Sequence, residues 1–226
     1  MDTFQIPKTT FGVALIGYGY WGPNLARNLS RNPSFRLQHV CDHDPNRLEL
    51  AKHHYPSVGC TSNVDEVLSD PDIDLVCVAT PASTHHALGM QAIAHGKHVL
   101  MEKPLALDST SGTELVTSAR REGVLLAVDH TFVFTGAVRK LRELVSDEKL
   151  GRLLFFDSIR VNLGIIQPDV NVHWDLAVHD LSILQYVTGK TPIAVSATGQ
   201  AHPPSTHPST AYMTLFYEDD FIAHVG

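Results

Sequence analysis

The sequence predicts an α/β protein, with a doubly wound parallel sheet over residues 1–130 and a second, β-rich α/β domain over residues 131–226. Apolar runs of strand length alternate with helix-like segments as far as Val128. The first strand is followed at once by a glycine-rich turn and a helix, a connection that suits parallel strands. Past Thr131 this alternation gives way to longer β-rich segments, which marks the second domain.

The opening stretch, Phe11 to Asp42, reads as strand, turn, helix and strand. Gly17, Gly19 and Gly22 form GxGxxG directly after the apolar run Val13 to Ile16, and Asp42 lies 20 residues past Gly22. Gly17 allows a sharp exit from the strand, Gly19 lets backbone approach a pyrophosphate, and Gly22 lets the helix pack closely on the sheet. Phosphates would face free amides at the helix N-terminus. Asp42 would hold the adenosine ribose hydroxyls and repel a 2′-phosphate, favouring NAD over NADP. A glycine turn without a ligand is the plain alternative. The flanking strand, helix and acid argue against it and for a dinucleotide-binding Rossmann arrangement.

The remaining elements follow in order. Asp44-Pro45 opens a helix over Asn46 to Tyr55, since aspartate caps and proline suits a first turn. A short connection runs through Val58. Asn63 to Leu68 reads as a small helix, Asp70-Pro71-Asp72 as a turn, and Ile73 to Ala79 as a strand apolar on both faces. Thr84 to His95 can form a helix, Lys97 to Met101 a strand, Asp108 to Glu122 an amphipathic helix and Val124 to Val128 a further strand. In the second domain, Val138, Leu141, Leu144 and Val145 share one helical face that closes near Gly151. Strands are expected over Leu153 to Leu163, Ile193 to Gly199, Ala211 to Tyr217 and Phe221 to Val225. A helical insert, Asp175 to Thr188, ends at Gly189.

The 43% hydrophobic content suffices for a core. A net charge of −7 with no basic cluster gives no footprint for nucleic acid or an anionic membrane. Cys41, Cys60 and Cys77 lack metal-ligand spacing and suit a reducing compartment, where small buried thiols explain them. Residues 1–10 lack the features of a signal peptide and no segment reaches membrane-span length, so a cytoplasmic protein is expected. The 14 histidines are scattered and no metal site is expected among them.

Thr80-Pro81 with His85, Glu102-Lys103-Pro104, and Asp129-His130 each follow an apolar strand, which puts them all at the carboxyl edge where ligands bind. Ordinary strand-to-helix loops also favour Thr, Pro and Asp, so each cluster alone has a bland explanation. Thr80, Pro81, His85, Glu102 and Lys103 join Gly17, Gly19, Tyr20, Trp21, Gly22 and Asp42 as candidate cofactor contacts. Packing explains Trp21 and Trp174 better than a substrate platform does. Arg160, Asn162, Asn171 and Trp174 are candidate substrate contacts, although surface polarity would explain the first three equally.

The segments ALIGYGYWGPN, ATPASTHH, HVLMEKPLA and WDLAVHDLSIL, in this order, resemble the glucose-fructose oxidoreductase, inositol dehydrogenase and MocA family. The GYGYWGPN start and PDVNVHWDLAVHD are most similar to its UDP-N-acetyl-hexosamine or uronate 3-dehydrogenase branch. The resemblance implies a Rossmann domain joined to a C-terminal α/β domain with an open, mostly antiparallel sheet that binds substrate and forms a homo-oligomer. It implies NAD-dependent oxidation of a secondary hydroxyl on a sugar, with a nucleotide-linked substrate expected. Lys103 would lie between nicotinamide and substrate, and Asp175 and His179 would match the family's acid and its acid-base histidine. The chemistry agrees, because loss of hydride from an alcohol carbon needs a base of near-neutral pKa and a cation beside the oxygen. Asp175 and His179, four apart, share one helical face.

Family members commonly run longer, so the second domain is expected to be incomplete at its C-terminus. Two rival readings remain open at this point. One is an NAD-binding regulatory or scaffold protein without turnover; the other is a different NAD(P)-dependent reductase of the same fold.

Overall fold

The computed structural model describes residues 10–147, 151–161, 170–203 and 206–226. The chain divides into a first unit ending at Asp129 and a second beginning at His130.

In the first unit, β1 (Phe11–Ile16), β2 (Phe35–Cys41), β3 (Gly59–Thr61), β4 (Leu75–Val78), β5 (His98–Met101) and β6 (Leu126–Val128) form one sheet. Its order is β3-β2-β1-β4-β5-β6, with every neighbouring pair parallel. The order reverses between β1 and β4, and that switch point opens the crevice in which such sheets bind ligands. The apolar runs are explained by cover on both faces. Val13 and Leu15 of β1 pack with Leu25, Leu29 and Val40 on one side, whereas Ala14 and Ile16 pack with Leu68, Ile93 and Leu115 on the other.

The helices are α1 (Gly22–Arg31), α2 (Pro45–His54), α3 (Val64–Ser69), α4 (His85–Ala94) and α5 (Ser109–Glu122). Local chemistry sets their ends. Asp44 accepts from Asn46 N–H, Asn63 from Asp65 N–H and Asp108 from Ser111 N–H, each supplying an acceptor to an otherwise unpaired first-turn amide. Gly123, at φ 68°, closes α5 in the left-handed conformation that glycine adopts freely. Two details depart from expectation. The connection through Val58 leads into β3 at the sheet edge, and the helix expected from Thr84 is preceded by a 3₁₀ turn, Ala82–Thr84.

The second unit contains α6 (Gly136–Ser146), α7 (Val178–Thr188), and strands β7 (Phe155–Ser158), β8 (Ala194–Gln200), β9 (Thr210–Phe216) and β10 (Ile222–Val225). The sheet order is β7-β10-β9-β8; β10 runs parallel to β7, and the other two pairings are antiparallel. Ala177, Leu181 and Leu184 pack with Leu215, Tyr217, Phe221, Ala223 and Val225 to form the core. The expected strand Leu153 to Leu163 shrinks to β7, while Asn162 and Leu163 lie outside the described residues. The predicted insert starts at His173 rather than Asp175, and its first turn, His173–Ala177, is wound as a π-helix that continues into α7.

Candidate functional site

The glycine turn at the end of β1 has the backbone that its sequence requires. Gly17 sits at φ 98°, and a Cβ there would lie 2.5 Å from the Ala79 carbonyl oxygen. A Cβ on Gly22 would lie 2.4 Å from the Gly17 oxygen, so the first turn of α1 closes directly on the loop. Gly19 differs, because its Cβ position meets only the Arg47 guanidinium, at 3.5 Å. The open side of this turn can receive a pyrophosphate, so the residues present fit a dinucleotide. Tyr20 is 81% exposed and Trp21 is 40% exposed. The Trp21 carbonyl accepts the Asn24 and Leu25 N–H groups, and its ring centre lies 6.4 Å from that of Tyr20.

Asp42 follows β2 as expected, but its carboxylate is turned inward and its residue is only 5% exposed. Oδ2 accepts the Tyr18 N–H at 2.6 Å and Oδ1 the Asp44 N–H at 2.9 Å. The acid therefore ties the glycine turn to the start of α2, and it can serve a ribose only by sharing these oxygens. Arg47 Nη1 stands 3.5 Å from Asp42 Oδ2, with its Nε 3.5 Å from Asp44 Oδ2. Sequence reasoning missed Arg47. Its signal was the three-residue spacing from Asp44 across the first turn of α2.

Across the switch point, the β4 and β5 ends carry the other predicted residues. Thr80 and Thr84 hydroxyls are 2.6 Å apart, and the Thr84 N–H donates to Pro81 O. His85 is 1% exposed, with Nδ1 2.7 Å from Pro104 O and Nε2 3.0 Å from Thr80 O. Its ring thus ties the β4 loop to the loop after β5. On that second loop, Glu102 N–H donates to Val78 O, and Glu102 Oε2 accepts the Lys103 N–H at 3.3 Å. The Lys103–Pro104 peptide is cis. Burial pushes the Glu102 carboxyl up to about 8, reinforced by the charge of Asp129 and a hydrogen bond to it, with Lys103 opposing. Burial also pushes the Cys41 and Cys77 thiols up to about 11 and about 12, which leaves both unreactive and agrees with their reading as small buried side chains.

In the second unit, Asp175 and His179 lie on the π-wound turn and the following α7. Such wide turns insert one extra residue and re-aim side chains, often where function needs it. The His179 ring meets the Phe132 ring edge-on at 4.9 Å, and the His179 carbonyl accepts Ser182 Oγ–H at 2.7 Å. Asn171 caps this turn: its Oδ1 accepts Trp174 N–H at 3.1 Å, and its carbonyl accepts Asp175 N–H at 3.0 Å. Trp174 is half-buried. Arg160 Nε donates to Asp180 Oδ2 at 2.5 Å, and its guanidinium lies 4.8 Å from the Phe132 ring centre. Asp180, buried at 2% exposure, also accepts Ser158 Oγ–H at 2.7 Å, so the Arg160 Nε balances a buried charge. The fourth substrate candidate, Asn162, lies outside the described residues. A cavity of about 310 Å³ adjoins Arg160, His173, Leu176, Asp180 and Tyr212 within this unit. Burial holds the His173 imidazole below its ordinary value. Among the described residues, no group of three or more His, Cys, Asp or Glu side chains is arranged to hold a metal, and no helix is long and apolar enough to cross a membrane.

Residues 11–130 match the sequence pattern of the oxidoreductase family with an NAD-binding Rossmann fold, and residues 138–226 match the GFO/IDH/MocA C-terminal domain. A scyllo-inositol 2-dehydrogenase (NADP(+)) of Bacillus subtilis is 32% identical over 166 residues, 73% of this chain and 45% of that protein. A UDP-N-acetylglucosamine 3-dehydrogenase of Acidithiobacillus ferrooxidans is 32% identical over 157 residues, 68% of this chain and 48% of that protein. The crystal structure of GenD2 from gentamicin A biosynthesis, in complex with NAD, superposes with a TM-score of 0.90 at 24% identity, covering 100% of this chain and 67% of that one. The chain spans about half the length of the curated relatives that it matches first. The likeness to a UDP-sugar enzyme is thus no greater than that to a polyol enzyme, whereas the two matched segments together cover both units. The chain belongs to the GFO/IDH/MocA oxidoreductase family.

Proposed function

We propose that this protein transfers a hydride between a secondary hydroxyl of a sugar or polyol and a nicotinamide dinucleotide. The observation that carries the reading is Glu102-Lys103-Pro104 at the carboxyl edge of the same parallel sheet whose first turn is the open glycine loop. Gly17, Gly19 and Gly22 form the pyrophosphate cradle, with Asp42 and Arg47 at the adenosine end. Thr80, Pro81, Glu102 and Lys103 line the way to the nicotinamide. A nicotinamide held there would supply the hydride-accepting chemistry, and the hydride-donating chemistry of the reverse direction. His179 takes the hydroxyl proton, Asp175 orients His179, and the Lys103 ammonium hydrogen-bonds the oxygen on which negative charge develops. Two electrons leave with the hydride and one proton passes to the imidazole, so the step balances as alcohol to ketone.

The finer proposals are a nucleotide-linked sugar as substrate, NAD as the preferred cofactor, a cytoplasmic home and a homo-oligomer built on the second sheet. The acid at the end of β2 supports NAD, and the apolar outer face of the second sheet supports assembly. Incubation with NAD or NADP and a panel of polyols, free sugars and UDP-sugars, with absorbance of the reduced nicotinamide as readout, tests the reading. Turnover on at least one member is expected, and Lys103→Met should lower kcat by about a hundredfold or more. Tight dinucleotide binding with no hydride exchange on any member would overturn it in favour of a binding or scaffold role.

A further inference from the structure

The geometry points to Glu102 and Asp129 as a carboxyl pair that shares one proton beside Lys103, with Asp129 as a positioning residue for that lysine. The inference rests on the catalytic reading of Lys103 given above, and nothing in the sequence motif names Asp129.

The backbone brings the two acids together. Glu102 is the first residue past β5 and Asp129 the first past β6, and the register of these parallel strands pairs Met101 with Val128. Glu102 N–H donates to Val78 O at 2.9 Å, and Asp129 N–H donates to Met101 O at 2.8 Å, so each acid continues its ladder by one residue. Residues in register on neighbouring strands point to the same face, and the two side chains therefore stand side by side.

The surroundings then demand a proton. Glu102 Oε1 is sealed from solvent and receives no hydrogen from another residue, while Oε2 faces the Lys103 N–H. Two ionised carboxylates in such a place would set acceptor against acceptor. One proton turns them into donor and acceptor and removes a charge, the arrangement that paired carboxyls adopt when buried. The raised titration of Glu102, caused first by burial and then by Asp129, agrees. The other groups that act on the pair are the Cys77 thiol of β4, which stays protonated, and Lys103.

The charge count links this pair to the chemistry. With one proton the pair carries a single negative charge, matched by the one positive charge of Lys103. Without it, a second negative charge draws the ammonium toward the floor of the site and away from the reacting oxygen. The pair thus sets where Lys103 rests, and its loss of a proton sets the alkaline limit for activity.

Infrared difference spectra of the whole chain, without substrate, test the pair. A protonated-carboxyl C=O band is expected at neutral pH, lost near pH 8 and absent from Glu102→Gln. In Asp129→Asn its midpoint should fall by roughly one pH unit or more, because the like charge that raises it is gone. No band in the folded wild type, or an unmoved midpoint in Asp129→Asn, would overturn the pair. Circular dichroism and NADH titration confirm that the variant is folded. On any substrate that supports turnover, Asp129→Asn should lower kcat by about tenfold, with its alkaline limb moving alongside the infrared midpoint and NADH affinity held within about twofold. A limb that stays put while the band moves would overturn the positioning role. Turnover on no substrate, with the band behaving as expected, would instead remove the reaction reading and leave the proton-sharing pair standing.

Discussion

The chemistry of Glu102 departs far from its type, and its departure has a direction that can be measured. In the fold it titrates near 8, whereas an ordinary glutamate titrates near 4.5. Between these values the folded chain holds a proton that the unfolded chain has lost, so stability falls as pH rises through this window and levels off above it. The loss reaches a few kcal/mol at most. Urea unfolding at about pH 5 and at about pH 8.5 should show this decline in the wild type and a flatter profile in Glu102→Gln; equal profiles would remove the buried-acid account. Gly17→Ala makes a second residue-scale test. It forces a side chain into φ 98° and against the Ala79 carbonyl, a strain of about 1–3 kcal/mol, and NADH affinity should fall at least tenfold as the loop shifts. These positions also show which residues the sequence made legible. Gly17 and Gly22 were readable because a positive φ and a close backbone approach can be met by one residue type. The ion pair of Arg160 was not, because its partner Asp180 arrives from a helix 20 residues away, beyond the reach of any local pattern.

At the scale of elements, helix starts were legible wherever an acid or asparagine supplies a cap, as Asp44, Asn63 and Asp108 do. The π-wound turn His173–Ala177 was not, since its apolar spacing also fits an α-helix and the extra residue shows only in backbone bonding. Strand β3 escaped for a similar reason: three residues at a sheet edge bury too little to impose a pattern. The turn holding Asp175 is fixed at its start by Asn171, whose side chain and carbonyl take two successive donors. Asn171→Ala should cost about 1 kcal/mol of stability, as removal of a cap does, and should lower turnover more than it lowers NADH affinity, because the turn carries the proposed acid-base pair. Asn171→Asp, which keeps the acceptor, should restore both stability and rate. A variant that loses stability but keeps full kcat would separate the turn from catalysis.

At the scale of the molecule, the second sheet leaves one face exposed among the described residues. Its inner face carries Phe156, Leu215 and Ala223, packed with Leu184 into the core. The register sets Phe155, Ile222 and Phe216 in a single row on the opposite face, with Tyr212 and His224 stacked beside them. Phe155 is 64% exposed, Tyr212 52%, Ile222 42% and Phe216 40%. Apolar side chains scattered singly on a surface need no explanation, but a contiguous row on a regular sheet is what an association surface looks like. A second copy of the same sheet offers the matching row, and a two-fold interface needs only one self-complementary patch. The expected outcome is a protein whose sedimentation reports a multiple of its 24.8 kDa mass. Replacing Phe155 and Phe216 together by glutamate should shift it to the monomer without loss of NADH binding, since the dinucleotide residues all lie in the other unit. A wild type that sediments as a monomer across micromolar concentrations would overturn the two-fold interface.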